Sequence, residues 1–101
     1  MEMNTYVDRA RRDDDFVRET LRVAQMLLLN GERDAADVLL EVLAHGAPQT
    51  ELAIEDAAGL LGVSRTHIEE LMKHGLLASD RTDQRRLLIG DVVRYRKARI
   101  A

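Results

Sequence analysis

Two groups of side chains in this sequence carry enough charge or donor density to do chemistry. The first is Asp13-Asp14-Asp15. Adjacent helix positions point about 100° apart, so three consecutive carboxylates cannot converge on one metal ion or share a proton. Placed just ahead of the apolar stripe that begins at Phe16, they suit the positive end of a helix dipole instead. The second group is Ser64, Arg65, Thr66, His67 and Lys73, with Arg81, Gln84, Arg85 and Arg86 further along. These supply donors of the kind that meet phosphate oxygens and base edges. Other chemistry finds no support. His45, His67 and His74 lack metal-ligand spacing, cysteine is absent, no serine sits in a nucleophile motif, and no glycine-rich phosphate loop occurs. The expectation is a protein that is not an enzyme and uses no metal or cofactor.

The second group needs a scaffold, and the stretch Ala57 to Gly75 reads as two short helices joined by a tight turn. Ala57, Ala58, Leu60 and Leu61 crowd one face of the first, and Gly62 stops it. Val63 turns inward, and Ser64 is placed to cap a second helix that runs to His74 before Gly75. In that helix Ile68, Leu71 and Met72 share one face at i, i+3, i+4, leaving Arg65, Thr66, Glu69, Glu70 and Lys73 on the other. Such a pair is either a helix-turn-helix or an ordinary helical hairpin. The residues after Gly75 favour the helix-turn-helix. Leu76 to Ala78 and Arg85 to Ile89 flank a polar run, Ser79 to Gln84, which predicts a β-hairpin. Asp91 can cap a last helix from Val92 to Arg99, with Val92, Val93 and Tyr95 inward.

These residues, in this order, resemble the excisionase-like winged helix-turn-helix proteins, relatives of the MerR-type DNA-binding domain. The matching positions are Glu51-Leu52, Ala57-Ala58, Leu61-Gly62-Val63-Ser64-Arg65, Gly75, the Arg85-Arg86 pair and Asp91, so the likeness covers Glu51 to about Arg99. It implies double-stranded DNA binding through the second helix and a wing. Two departures stand out: Ala53 replaces the Ser or Thr that usually caps the first helix, and Thr82-Asp83 replaces the usual glycine at the wing tip, in a wing about one residue short.

On such a scaffold Arg65 can meet a guanine edge bidentately or a phosphate, Thr66 a thymine methyl or a phosphate, and Lys73 the backbone. An ion pair between Arg65 and Glu69 at i+4 is the plain structural alternative. Glu69 and Glu70 sit badly beside phosphates unless one accepts from a cytosine amino group. Arg85 and Arg86 alternate faces along a strand, so one of them is expected to reach DNA.

The net charge of −3 hides an uneven distribution. Residues 1 to 50 hold six Arg or Lys against ten Asp or Glu, a net of −4, and residues 51 to 101 hold nine against eight, a net of +1. From 81 to 101 seven basic residues face two acidic ones, a net of +5, where a phosphate backbone would be met. Arg94, Arg96, Lys97 and Arg99 in that stretch either face phosphates or complement a helix C-terminus.

The first half shows two amphipathic helices. Phe16 to Leu29 aligns Val17, Leu21, Ala24 and Leu28 and closes at Asn30-Gly31; Arg33 to Ala44 carries Ala36, Leu39, Leu40 and Leu43 and ends at His45-Gly46. Residues 1 to 12 show no clear pattern, although Thr5 and Asp8 can open a helix. Met26 to Leu29 gives an apolar band wider than one face needs, which points to packing on the second half or to a partner surface.

The expected architecture is mainly α with a small β-hairpin wing: a helical hairpin at 1–46 for dimerisation or partner binding, a linker at 47–52, and a winged helix-turn-helix at 53–101. One short helix buries little DNA surface, so a homodimer is expected. The functional expectation is a sequence-specific DNA-binding repressor acting as an antitoxin, whose partner the resemblance suggests is a PIN-domain ribonuclease. An excisionase working with an integrase, or an interaction module without DNA binding, are the alternatives. The extra helical half disfavours a minimal excisionase, and the end at Ala101 disfavours an effector-sensing regulator. The longest uncharged run, Val23 to Asn30, is too short to span a bilayer, and a cytoplasmic location is expected.

Overall fold

The computed structural model describes residues 3–77 and 86–100. Among these the protein is mainly helical, with one small antiparallel sheet, and it divides into two compact units at Pro48/Gln49.

The first unit holds three helices, α1 (Met3–Arg12), α2 (Asp14–Leu29) and α3 (Arg33–Gly46), each packed on the other two. The sequence led to an expectation of two; the third is α1. Its residues Met3, Tyr6, Val7 and Ala10 fall at i, i+3, i+4 and i+7, a helical spacing not singled out from the sequence among the charged neighbours. Its burial comes from close approach rather than bulk: Ala10 and Gly46 are buried, and a Cβ built on Gly46 would stand 2.5 Å from the Val7 carbonyl oxygen and 2.7 Å from Ala10 Cβ. Ala24 and Ala36 are fully buried, and Leu40 and Leu43 fill the centre. At the α1–α2 corner the Tyr6 and Phe16 rings stack with centroids 6.3 Å apart, and the Arg9 guanidinium lies 4.7 Å from the Phe16 centroid. Asp13 caps α2, its carboxylate accepting from Phe16 N–H at 3.1 Å, and Asp14 and Asp15 occupy the first turn. An apolar groove of about 320 Å³ runs between these helices, lined by Tyr6, Phe16, Thr20, Val23, Val38 and Leu39 among others.

The second unit opens with β1 (Glu51–Ala53), continues through α4 (Ile54–Leu61) and α5 (Arg65–Lys73), and closes with β2 (Arg86–Leu88) and α6 (Ile89–Ile100). Glu51 and Leu52, expected within a linker, are strand: β1 pairs antiparallel with β2, with Leu52 opposite Leu87. Both leucines are buried beneath the sheet, together with Ile54, Leu60, Ile68, Ile89 and Val92. The expected hairpin lies mostly outside the described residues, and its described ends, 76–77 and 86–88, do not pair with each other. Leu76 and Leu77 form a bend, Leu77 is buried, and the described partner of the 86–88 strand lies before α4. The physical reason is register: pairing with β1 puts Leu87 against Leu52 in the core, a long-range match that spacing along the chain does not reveal. The polar run and Arg85 lie outside the described residues. The last helix also starts earlier than expected, at Ile89, whose N–H donates to the Thr50 carbonyl at 2.9 Å, so Asp91 sits in its first turn and is not its cap.

Candidate nucleic-acid interface

The placement of α5 is set at both ends. Ala53 precedes α4 without a side-chain cap. At the other end of α4, Gly62 takes a left-handed conformation (φ +68°), and Val63 N–H donates back to the Ala58 carbonyl at 3.1 Å. Two residues later Ser64 is extended, and its hydroxyl oxygen accepts from His67 N–H at 3.1 Å, starting α5. Gly75 (φ +71°) ends it, with Leu76 N–H bonded to the Leu71 carbonyl at 2.9 Å. Ile68 and Leu71 anchor the inner face in the core.

The outer face of α5 is exposed at Arg65, Thr66, His67, Glu69, Glu70 and Lys73, so the five α5-side positions expected to form a site, counting the cap Ser64, do lie together. Their condition differs. The Ser64 oxygen is committed to its helix cap. Arg65 Nε donates to Glu69 Oε1 at 3.0 Å, which realises the ion pair expected as the plain alternative, and Arg65 Nη1 also donates to Glu55 Oε1 on α4. Glu55 was missed in the sequence because it lies ten residues away; the only signal is an acidic residue in the first turn of α4. Glu70 meets His74 at 3.4 Å. Arg65 and Lys73 thus balance Glu69 and Glu70 in formal charge, and the face is polar without being basic.

Arg86 is exposed at the start of β2, opposite Ala53, and its neighbour Leu87 points into the core. Arg81, Gln84 and Arg85 lie outside the described residues. Cations of α6 are engaged within the protein. Arg96 is buried at 9% exposure, Arg94 lies 3.8 Å from Asp91, and Arg99 donates to the Leu61 carbonyl at 3.4 Å beside the Tyr95 ring. Arg99 therefore serves the negative end of α4, a helix C-terminus other than its own. No three His, Asp or Glu side chains gather around a common point among the described residues.

In class, then, this is a mainly helical chain whose second unit joins two short helices, a two-stranded sheet and a closing helix. It is similar to uncharacterized proteins of Mycobacterium bovis and of two strains of Mycobacterium tuberculosis, each 49% identical over 55 residues, or 52% of this chain. The chain spans about half the length of these curated relatives, 48% in each case. No protein-family profile matches it, and no solved structure does. Among the described residues no helix is long and apolar enough to cross a membrane.

Proposed function

We propose that the chain is a sequence-specific double-stranded DNA-binding protein of the winged helix-turn-helix kind, acting as a transcriptional repressor and as the antitoxin of a toxin–antitoxin pair. In this reading α5 enters the major groove, Arg86 meets the DNA backbone beside it, and the first unit engages a second copy or a toxin. The observation that carries it is the pairing of an apolar-anchored α5 with an exposed, donor-bearing outer face, held by a left-handed glycine turn and a serine cap after α4. The order Leu61-Gly62-Val63-Ser64-Arg65, with its likeness to the excisionase-like proteins, supports the same reading.

One observation favours a second reading, a protein-interaction module without DNA binding: the formal charge of the α5 face cancels, and Arg65 is held by two carboxylates. Footprinting of the protein on the DNA upstream of its own reading frame separates the two. Protection of a discrete segment, weakening steeply as salt rises, is the expected result. Absence of protection at about 50 mM salt, within the range over which phosphate-contacting proteins bind tightly, overturns the proposal.

A further inference from the structure

Arg65 sits in the first turn of α5 between carboxylates from two helices. Its Nε donates to Glu69 Oε1 at 3.0 Å, one turn along α5, and its Nη1 donates to Glu55 Oε1 in the first turn of α4. All three side chains are more than half exposed. A guanidinium carries five N–H groups, so these two contacts leave one on Nη1 and both on Nη2 for another acceptor.

The trio carries a net charge of −1, and that sign decides between the two kinds of partner a duplex offers Arg65. A phosphate oxygen brought to this guanidinium also approaches two carboxylates, whose repulsion offsets the attraction. A guanine edge brings acceptors without net charge: O6 and N7 take two N–H bonds, and the carboxylates can stay in place. In the same groove the cytosine paired to that guanine presents its N4 amino group, a donor in need of an acceptor. Glu69 can provide one, since its Oε1 holds Arg65 and a carboxylate has a second oxygen. Glu70 is engaged with His74 instead.

Resting on the reading of α5 as the helix that enters the groove, we propose that Arg65 and Glu69 together read a single G·C base pair. Arg65 donates to guanine O6 and N7, and Glu69 accepts from cytosine N4. Glu55 is a positioning residue that steadies the guanidinium from α4. The acidic residue that sits badly on a DNA-facing helix becomes part of the readout, and Arg65 is assigned to a base edge and not to the backbone.

The test is selection from a random duplex library with the full chain, followed by binding to the selected duplex and to its single-pair variants over a range of salt. Wild type is expected to select a guanine at one fixed position. Arg65→Ala should lose at least about fivefold discrimination there, the lower bound for a bidentate contact, with other positions unchanged. Arg65→Lys should recover only part of that discrimination, because an ammonium can still meet O6 and N7 but lacks the planar fork. Glu69→Gln should lower discrimination at the same pair, and Glu55→Gln should lower it less. Both should tighten binding to an unselected duplex by about threefold or more, because each removes one negative charge that opposes phosphate. Uniform weakening of Arg65→Ala across all sequences, with a salt slope smaller by about 1 and rescue by Arg65→Lys, is the signature of a phosphate contact and overturns the inference while leaving DNA binding intact. Failure of wild type to retain any duplex overturns both. Thermal unfolding of each variant, expected to match wild type because all three side chains are exposed, separates loss of readout from loss of fold.

Discussion

Gly46 shows how much of the first unit rests on a missing side chain. It is helical and its torsions are open to any residue; what it lacks is room, because the α1 backbone crosses where a Cβ would stand. The Val7 carbonyl oxygen belongs to α1 and cannot rotate away as a side chain could. Gly46→Ala is therefore expected to push α1 off α3 and to destabilise the protein by about 1–3 kcal/mol, the usual cost of overpacking, even though alanine is the better helix former. A urea midpoint equal to or above that of wild type would show that the helices part without penalty. Ser64 makes the contrasting case, since its role is a single hydrogen bond at the start of α5. Ser64→Ala should cost about 1 kcal/mol and Ser64→Gly only a few tenths, since glycine is tolerated at this position without a cap bond. If Ser64→Ala unfolds together with wild type, the hydroxyl contributes nothing and the backbone conformation alone starts the helix.

At the scale of elements, the turn between α4 and α5 concentrates most of what was legible in the sequence. Leu61-Gly62-Val63-Ser64 reads correctly as stop, turn and cap because each step is a local backbone rule, and the torsions and hydrogen bonds obey it. Gly62 has open space around its α-hydrogens, so the cost of Gly62→Ala comes from forcing an L-residue to φ +68°, roughly 1–2 kcal/mol, with no clash to relieve. Gly62→Asn should cost less, because asparagine tolerates that region, and an alanine variant as stable as the asparagine one would refute the strain account. The elements that were not legible are those made by distant partners. β1 hid in an apparent linker because three residues carry no period, and it exists because Leu52 meets Leu87 across the sheet. α1 left a signal that went unread, since Met3, Tyr6, Val7 and Ala10 keep helical spacing, whereas the close seating of Ala10 against Gly46 has no signature in the sequence. The α5 face was located from its polar spacing, yet the Glu55 contact that conditions Arg65 crosses between helices and has no signature in spacing.

At the scale of the whole molecule, the charge division sets a test of whether the first unit brings two copies together. Its exposed apolar residues include Val23 at 38%, Met26 at 56% and Val38 at 54%, of which Val23 and Val38 border the apolar groove. A second copy covering them would bury apolar area between two units that each carry a net charge of −4 over residues 1–50. Self-association of this kind is favoured by the hydrophobic effect and opposed by like charge, so added salt should strengthen it by screening the repulsion. The proposed DNA binding would have the opposite dependence, because counterions released from phosphates make such binding weaken with salt. The two equilibria should therefore move in contrary directions as salt rises from about 50 to 200 mM, the range over which phosphate-contacting proteins lose most of their affinity. Sedimentation of the free protein reads the first and titration of a labelled duplex reads the second. Val38→Glu places another charge on the groove border and should drive the free protein to monomer. The same variant should lose affinity on a duplex with two half-sites about 10 base pairs apart while keeping its weaker affinity for one half-site, because only the paired site depends on the second copy. If Val38→Glu leaves both the sedimentation profile and the two-site affinity unchanged, this face does not join two copies, and the first unit must be assigned to a different partner.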